Sequence, residues 1–177
     1  MEHLSRAELL ALLQAARASR ERDFVMILVA FSHGLRASEV VGMQRNAVRD
    51  GYLTVSRLKG SLRTVQPLID DVNPLLNERK VLIEYGKNLT GNQRLFPITR
   101  QHFWRLMQRY AKKAGIPGPK GHPHVLKHSI AMQTIDSVGI HKVRKYLGHK
   151  SINSTGAYLK VTDAEASSAI GKALKVS

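Results

Sequence analysis

The most constraining feature of the chain is a run of eight apolar residues, FVMILVAF, from Phe24 to Phe31. It falls well short of the roughly 18 residues that a membrane span requires. Continued as FVMILVAFSHGL, it reads as a buried helix with Gly34 near its end. The segments on either side are therefore expected to pack around it.

Those segments carry their own punctuation. Ser5 followed by Glu8 is a capping box, and Leu9, Leu10, Leu12, Leu13 and Ala16 give the apolar stripe of a first helix. A short helix is expected from Ala37 to about Gln44, with Glu39 in its first turn. Tyr52 to Arg57 and Leu62 to Gln66 read as a β-hairpin turning at Lys59-Gly60. Asn73-Pro74 resembles a helix start and Gly86 a stop, while Thr99 caps RQHFWRLMQRYAKKAG, in which Phe103, Leu106, Met107 and Tyr110 share a face. Beyond the loop GIPGPKGHP, short helices are expected at about 125–137, 140–147 and 152–159, with a final one from Asp163. The fold class is mainly α with a small antiparallel sheet, an α+β domain.

Charge narrows the function. The 177 residues hold 28 Lys and Arg against 13 Asp and Glu, a formal net charge of +15. From Arg100 to Lys160 there are twelve basic residues and one acid, Asp136. Such a stretch projects a positive field, and a polyanion that sheds counterions on contact is its natural partner. Nucleic acid is the first candidate. The absence of cysteine excludes disulfides, iron–sulfur clusters and thiol chemistry, and the N-terminus lacks the order of a secretion signal. The expected compartment is the cytoplasm.

Within the basic stretch, HPHVLKH gathers His122, His124 and His128 around Lys127. On a helix beginning near His124, His124, Lys127 and His128 fall on one face. The histidine spacing copies the H-E-x-x-H zinc site, but Val125 stands where that motif has its general base, and a lysine adjoins the ligands. A satisfied, half-buried imidazole is the plainer reading. A cation and imidazoles at a helix N-terminus also suit a phosphate oxygen.

Four fragments then resemble the tyrosine recombinases, the phage-integrase family: HGLRASEV at 33–40, HVLKH at 124–128, LGHKS at 147–151 and TGAYLK at 155–160. They match G-L-R-x-S-E, H-x-L-R-H, L-G-H and a tyrosine nine residues after the last histidine. RLKGSLRTVQPL looks closest to the short invertases of fimbrial phase switching. The resemblance covers nearly the whole chain.

It implies a tyrosine-recombinase catalytic-domain fold and transesterification at a DNA phosphodiester, without metal, cofactor or ATP. By motif position, Tyr158 is the implied nucleophile, against the plainer reading of a surface or core tyrosine. A phenol needs a proton acceptor or a strongly cationic setting to attack at neutral pH, and His124 is the implied assisting base. Arg36 is the implied first phosphate clamp, unless it simply pairs with Glu39. His149 is the implied phosphate donor or, more plainly, a cap after Gly148. Lys59 matches the lysine that protonates the leaving hydroxyl, though turn lysines are common. Arg57, Lys120, His128 and Lys150 are expected DNA contacts.

The chain departs from the family at Lys127, where an arginine is usual. An ammonium keeps the charge but loses the bidentate fork, so slow strand cleavage is expected. The resemblance further implies that 1–177 is a single catalytic domain with no core-binding domain before it. Its terminal helix, 163–177, either docks on a neighbouring protomer or folds back on its own core. The expected partners are double-stranded DNA, further protomers in a dimer or tetramer on it, and accessory DNA-binding proteins. Two other functions stand beside the recombinase: a catalytically weak DNA-binding regulator and a zinc hydrolase at His124 and His128.

Overall fold

A computed structural model describes residues 2–56 and 62–149. Arg57, Lys59, Lys150, Tyr158 and the helices expected at 152–159 and 163–177 lie outside the described residues. Helix α1 (Arg6–Arg17) opens with the expected capping box, Ser5 Oγ accepting from the Glu8 amide and Glu8 from the Ser5 amide. Its stripe of Leu9, Leu12, Leu13 and Ala16 is buried.

Helix α2 (Glu21–Ser32) is buried continuously from Asp23 to Ser32. A helix apolar on every face needs neighbours on every face, and α2 packs against α1, α4 (Glu78–Gly86) and α6 (His124–Val138). The one buried acid in its first turn, Asp23, is satisfied by Arg22 and by the Tyr110 hydroxyl at 2.7 Å. Tyr110 lies on α5 (Arg100–Lys113), whose Thr99 cap and buried Phe103, Leu106, Met107 and Tyr110 are as the sequence indicates.

The α2 helix ends at a left-handed Gly34, φ +56°. The next helix, α3 (Ala37–Val41), is shorter than the expected span to Gln44, because Gly42 caps it. The sheet has three antiparallel strands, β1 (Val48–Arg49), β2 (Tyr52–Val55) and β3 (Thr64–Pro67), in the order β1-β2-β3. The expected hairpin is β2–β3, with Leu53 opposite Gln66 and Val55 opposite Thr64. Strand β1 was not expected. It is joined to β2 through Asp50-Gly51, both at positive φ, the pairing that a two-residue hairpin turn favours.

The helix expected at Asn73-Pro74 begins later, at Glu78, with Asn77 as its cap. The Asn73 side chain instead accepts from the Leu75 amide and its carbonyl from the Leu76 and Asn77 amides. Asn-Pro thus builds a turn that competes with helix initiation. Helices α6 and α7 (Ile140–Tyr146) follow within a residue or two of their expected spans. No described helix is long and apolar enough to cross a membrane.

Gly34 locks the site-bearing turn into the core. A Cβ there would meet Leu147 Cδ2 at 2.3 Å and Ile130 Cγ2 at 3.4 Å. Gly34→Ala is therefore expected to cost about 2–4 kcal/mol, combining the left-handed penalty with overpacking. Chemical denaturation checks this, and a change below about 0.5 kcal/mol would contradict so close an approach.

Candidate phosphate-binding site

Helix α6 is held in place from both sides. The Leu4 amide donates to Ser129 Oγ at 2.8 Å, Ser129 donates to the Val125 carbonyl at 2.7 Å, and Gln133 donates to the Leu4 carbonyl at 3.0 Å. This straps the N-terminal segment along α6. The helix starts at His124, which is only partly covered, and His128 meets its ring edge-on with centroids 4.3 Å apart. Lys127 is only 2% exposed, and its Nζ donates to the Leu147 carbonyl at 3.3 Å.

Arg36 reaches the same place from the α2–α3 turn. Glu39 accepts from the Arg36 amide at 2.8 Å and from its Nη1 at 3.1 Å. The pair is the salt bridge that the plainer reading expected, and it fixes the orientation of a half-buried guanidinium. The guanidinium charge is felt at His124. Burial against neighbours pushes the His124 imidazole below its ordinary range, and the charges of Lys127, His122 and Arg36 push it further. His124 is thus neutral near pH 7 and able to accept a proton.

The third contributor is the turn after α7. His149 is 7% exposed, and its amide donates to the Arg144 carbonyl at 3.0 Å. Lys127 binds the Leu147 carbonyl, and the Leu62 amide donates to the Gly148 carbonyl at 3.1 Å. The turn is therefore tied both to α6 and to the strand side of the hairpin. The charges of Arg36 and Lys127 thus both act on His124, and Lys127 binds the turn that leads to His149.

The auxiliary residues behave differently. Lys120 places its ammonium 2.8 Å from both carboxylate oxygens of Glu8, which holds that carboxyl below its usual range. Its charge is engaged within the protein. Burial and the positive surroundings of His124, His122 and Lys127 push His128 down to about 4, so it contributes a neutral ring rather than a cation. No group of three or more His, Asp or Glu among the described residues is placed to hold a metal. Among the described residues, His124 and His128 therefore have no third ligand of the kind a zinc site needs.

One part of the site was not foreseen. His33, Gln66 and Glu78 form a buried polar network, with His33 three residues before Arg36. Its only sequence signal is a histidine and a serine closing an otherwise apolar run. The partners stand 33 and 45 positions away.

The phage integrase family model matches residues 2–165. The chain is 31% identical over 166 residues to the tyrosine recombinase XerA of Thermococcus kodakarensis, covering 90% of this chain and 58% of that protein. It thus spans a little over half the length of that relative. Among solved structures, it resembles a XerA recombinase with a TM-score of 0.75 at 21% identity, covering 97% of this chain and 63% of that one. It also resembles a lambda integrase dimer bound to a COC′ core site, TM-score 0.72 at 22% identity, covering 89% and 47%.

The His128 environment has a measurable cost in acid. Its folded imidazole binds a proton only near pH 4, whereas an unfolded one does so near 6.5. Between these values the unfolded state holds more protons, so stability is full above about 6.5 and is lost as pH falls toward 4. Thermal melts of the wild type and of His128→Asn across that window should show a steeper acid decline in the wild type. Parallel curves would contradict the assignment.

Proposed function

The chain belongs to the phage integrase family, and from that premise we propose that it is a site-specific DNA recombinase of the integrase or invertase type. It cleaves and rejoins strands through a phosphotyrosine intermediate. The observation that carries the reading is the meeting of Arg36, His124, Lys127 and the His149 turn from three separate stretches of sequence.

The chemistry follows from their charges. Arg36, oriented by Glu39, donates to non-bridging oxygens of the scissile phosphate, and Lys127 and His149 complete a cationic cradle. Charge building on those oxygens in the pentacoordinate transition state strengthens each contact. Tyr158 attacks phosphorus while neutral His124 takes up the phenolic proton. The bond to the departing strand breaks, and Lys59 supplies the proton that makes its end a hydroxyl. One phosphodiester is exchanged for another, so neither metal nor nucleotide is consumed. Tyr158 and Lys59 enter by motif position.

DNA is the substrate, and a dimer or tetramer of this chain, with accessory DNA-binding proteins, is the working assembly. The lambda integrase neighbour, a dimer on its core site, supports that arrangement. As a recombinase of chromosomal or phage DNA it acts in the cytoplasm. Likeness of the hairpin stretch to fimbrial-switch invertases favours inversion, and captured sites lying in inverted pairs would support it. The terminal segment 163–177 is proposed to dock on the neighbouring protomer.

A second reading, a DNA-binding regulator with weak catalysis, is favoured by Lys127, whose ammonium is buried on the Leu147 carbonyl. The two readings part in a capture experiment. Sheared genomic DNA of the source organism is incubated with protein, denatured in detergent, and the protein-linked fragments are sequenced. The recombinase reading expects recurrent covalently bound sites that vanish in Tyr158→Phe. Binding without adducts would sink it and favour the regulator.

Lys127→Met separates catalysis from stability. Removing a clamp contact should slow strand cleavage about 100-fold. Replacing a buried charge by an apolar side chain of similar length should leave the melting temperature equal or higher. Capture kinetics and a thermal melt of the same preparation check both. An unaltered rate would remove Lys127 from the clamp.

A further inference from the structure

His33 is fully buried at the end of α2, three residues before Arg36. Its Nδ1 lies 2.5 Å from Gln66 Oε1 on β3. The Gln66 amide nitrogen donates to the Tyr146 carbonyl, at the end of α7, at 2.6 Å. With the nitrogen so committed, Gln66 Oε1 is an acceptor and His33 Nδ1 the donor. On its other edge, His33 Nε2 lies 2.8 Å from Glu78 Oε1, within ion-pair distance though off hydrogen-bond alignment, and Glu78 is likewise fully buried. The second Glu78 oxygen accepts from the Ile69 amide at 3.0 Å. Tyr146 closes the set, its hydroxyl donating to the Ser32 carbonyl at 2.7 Å.

A buried histidine and carboxylate are a poor source of stability, because apolar side chains of the same volume commonly serve as well. What such a network supplies is a fixed arrangement of its members. Here the members are the root of the Arg36 turn, the strand following the hairpin tip, and the residue three before His149. Gly34 and Leu147 leave no slack between the turn and α7.

We infer that His33 is a positioning residue, fixing from the interior the Arg36 turn against β3 and against the turn that carries His149, and so setting the geometry of the phosphate clamp. The inference rests on the recombinase reading for its consequence in rate, and on the fold alone for its consequence in geometry.

Two measurements test it. On a nicked duplex carrying a captured site, His33→Ala should lower the single-turnover rate constant of covalent capture about 10- to 100-fold, as for a misplacement approaching an ångström. DNA affinity at fixed salt should stay within about twofold. A rate constant describes the folded molecules, so partial unfolding lowers the amplitude instead. His33→Asn, which retains a donor near the Nδ1 position, should recover part of the rate. Should the alanine variant fail to fold, His33→Asn against wild type decides, with a slowing of about threefold or more expected. In the second measurement, ¹H–¹⁵N spectra of DNA-free His33→Asn should show displaced amides at Arg36, Gln66 and His149. Unchanged capture rates, or displacements that stop at the immediate neighbours of position 33, would overturn the inference. If the wild type captures no DNA, the recombinase reading fails, and the spectra alone decide whether His33 positions these elements.

Discussion

The site depends on one close approach, that of the backbone at Gly34 to the side chain of Leu147. There is no room for a Cβ between them, and the backbone takes a left-handed turn that other residues resist. This contact sets the end of the most buried helix against the end of α7. Arg36 leaves the first element two residues later, and His149 leaves the second two residues later. Lys127 fastens the junction from below by holding the Leu147 carbonyl. Separated stretches of sequence thus deliver cationic and imidazole groups to one region of surface.

Placing that much positive charge together has a cost, and the structure divides it. Glu39 compensates Arg36, Glu8 compensates Lys120, and His124 and His128 stay neutral. Burying the Lys127 ammonium costs several kcal/mol in desolvation that its partners offset, and one of them, the Leu147 carbonyl, is part of the same turn.

Much of this was legible in the sequence because it is local. The Ser5–Glu8 and Thr99 caps act over three residues, and each helix begins where they indicate. The Arg36–Glu39 pair is likewise set by helical spacing. Asn73-Pro74 misled because the same side chain that caps a helix can close a turn, and tertiary packing chose the turn. The His33–Glu78 contact could not be read at all. Nothing in either segment marks the other, and only packing α2 against α4 brings them together.

His124 feels the charges of both Arg36 and Lys127, and the proposed clamp requires that these groups share one phosphate. The most direct measurement is a nuclear magnetic resonance titration of the protein with a short DNA duplex, following the side-chain nitrogens of Arg36, His124 and His149. The account predicts that all three shift together along one saturation curve, and that the response weakens as salt is raised. Movement of Arg36 without the two imidazoles, or a response confined to the exposed basic face of α5, would contradict the convergence of these groups on a single phosphate.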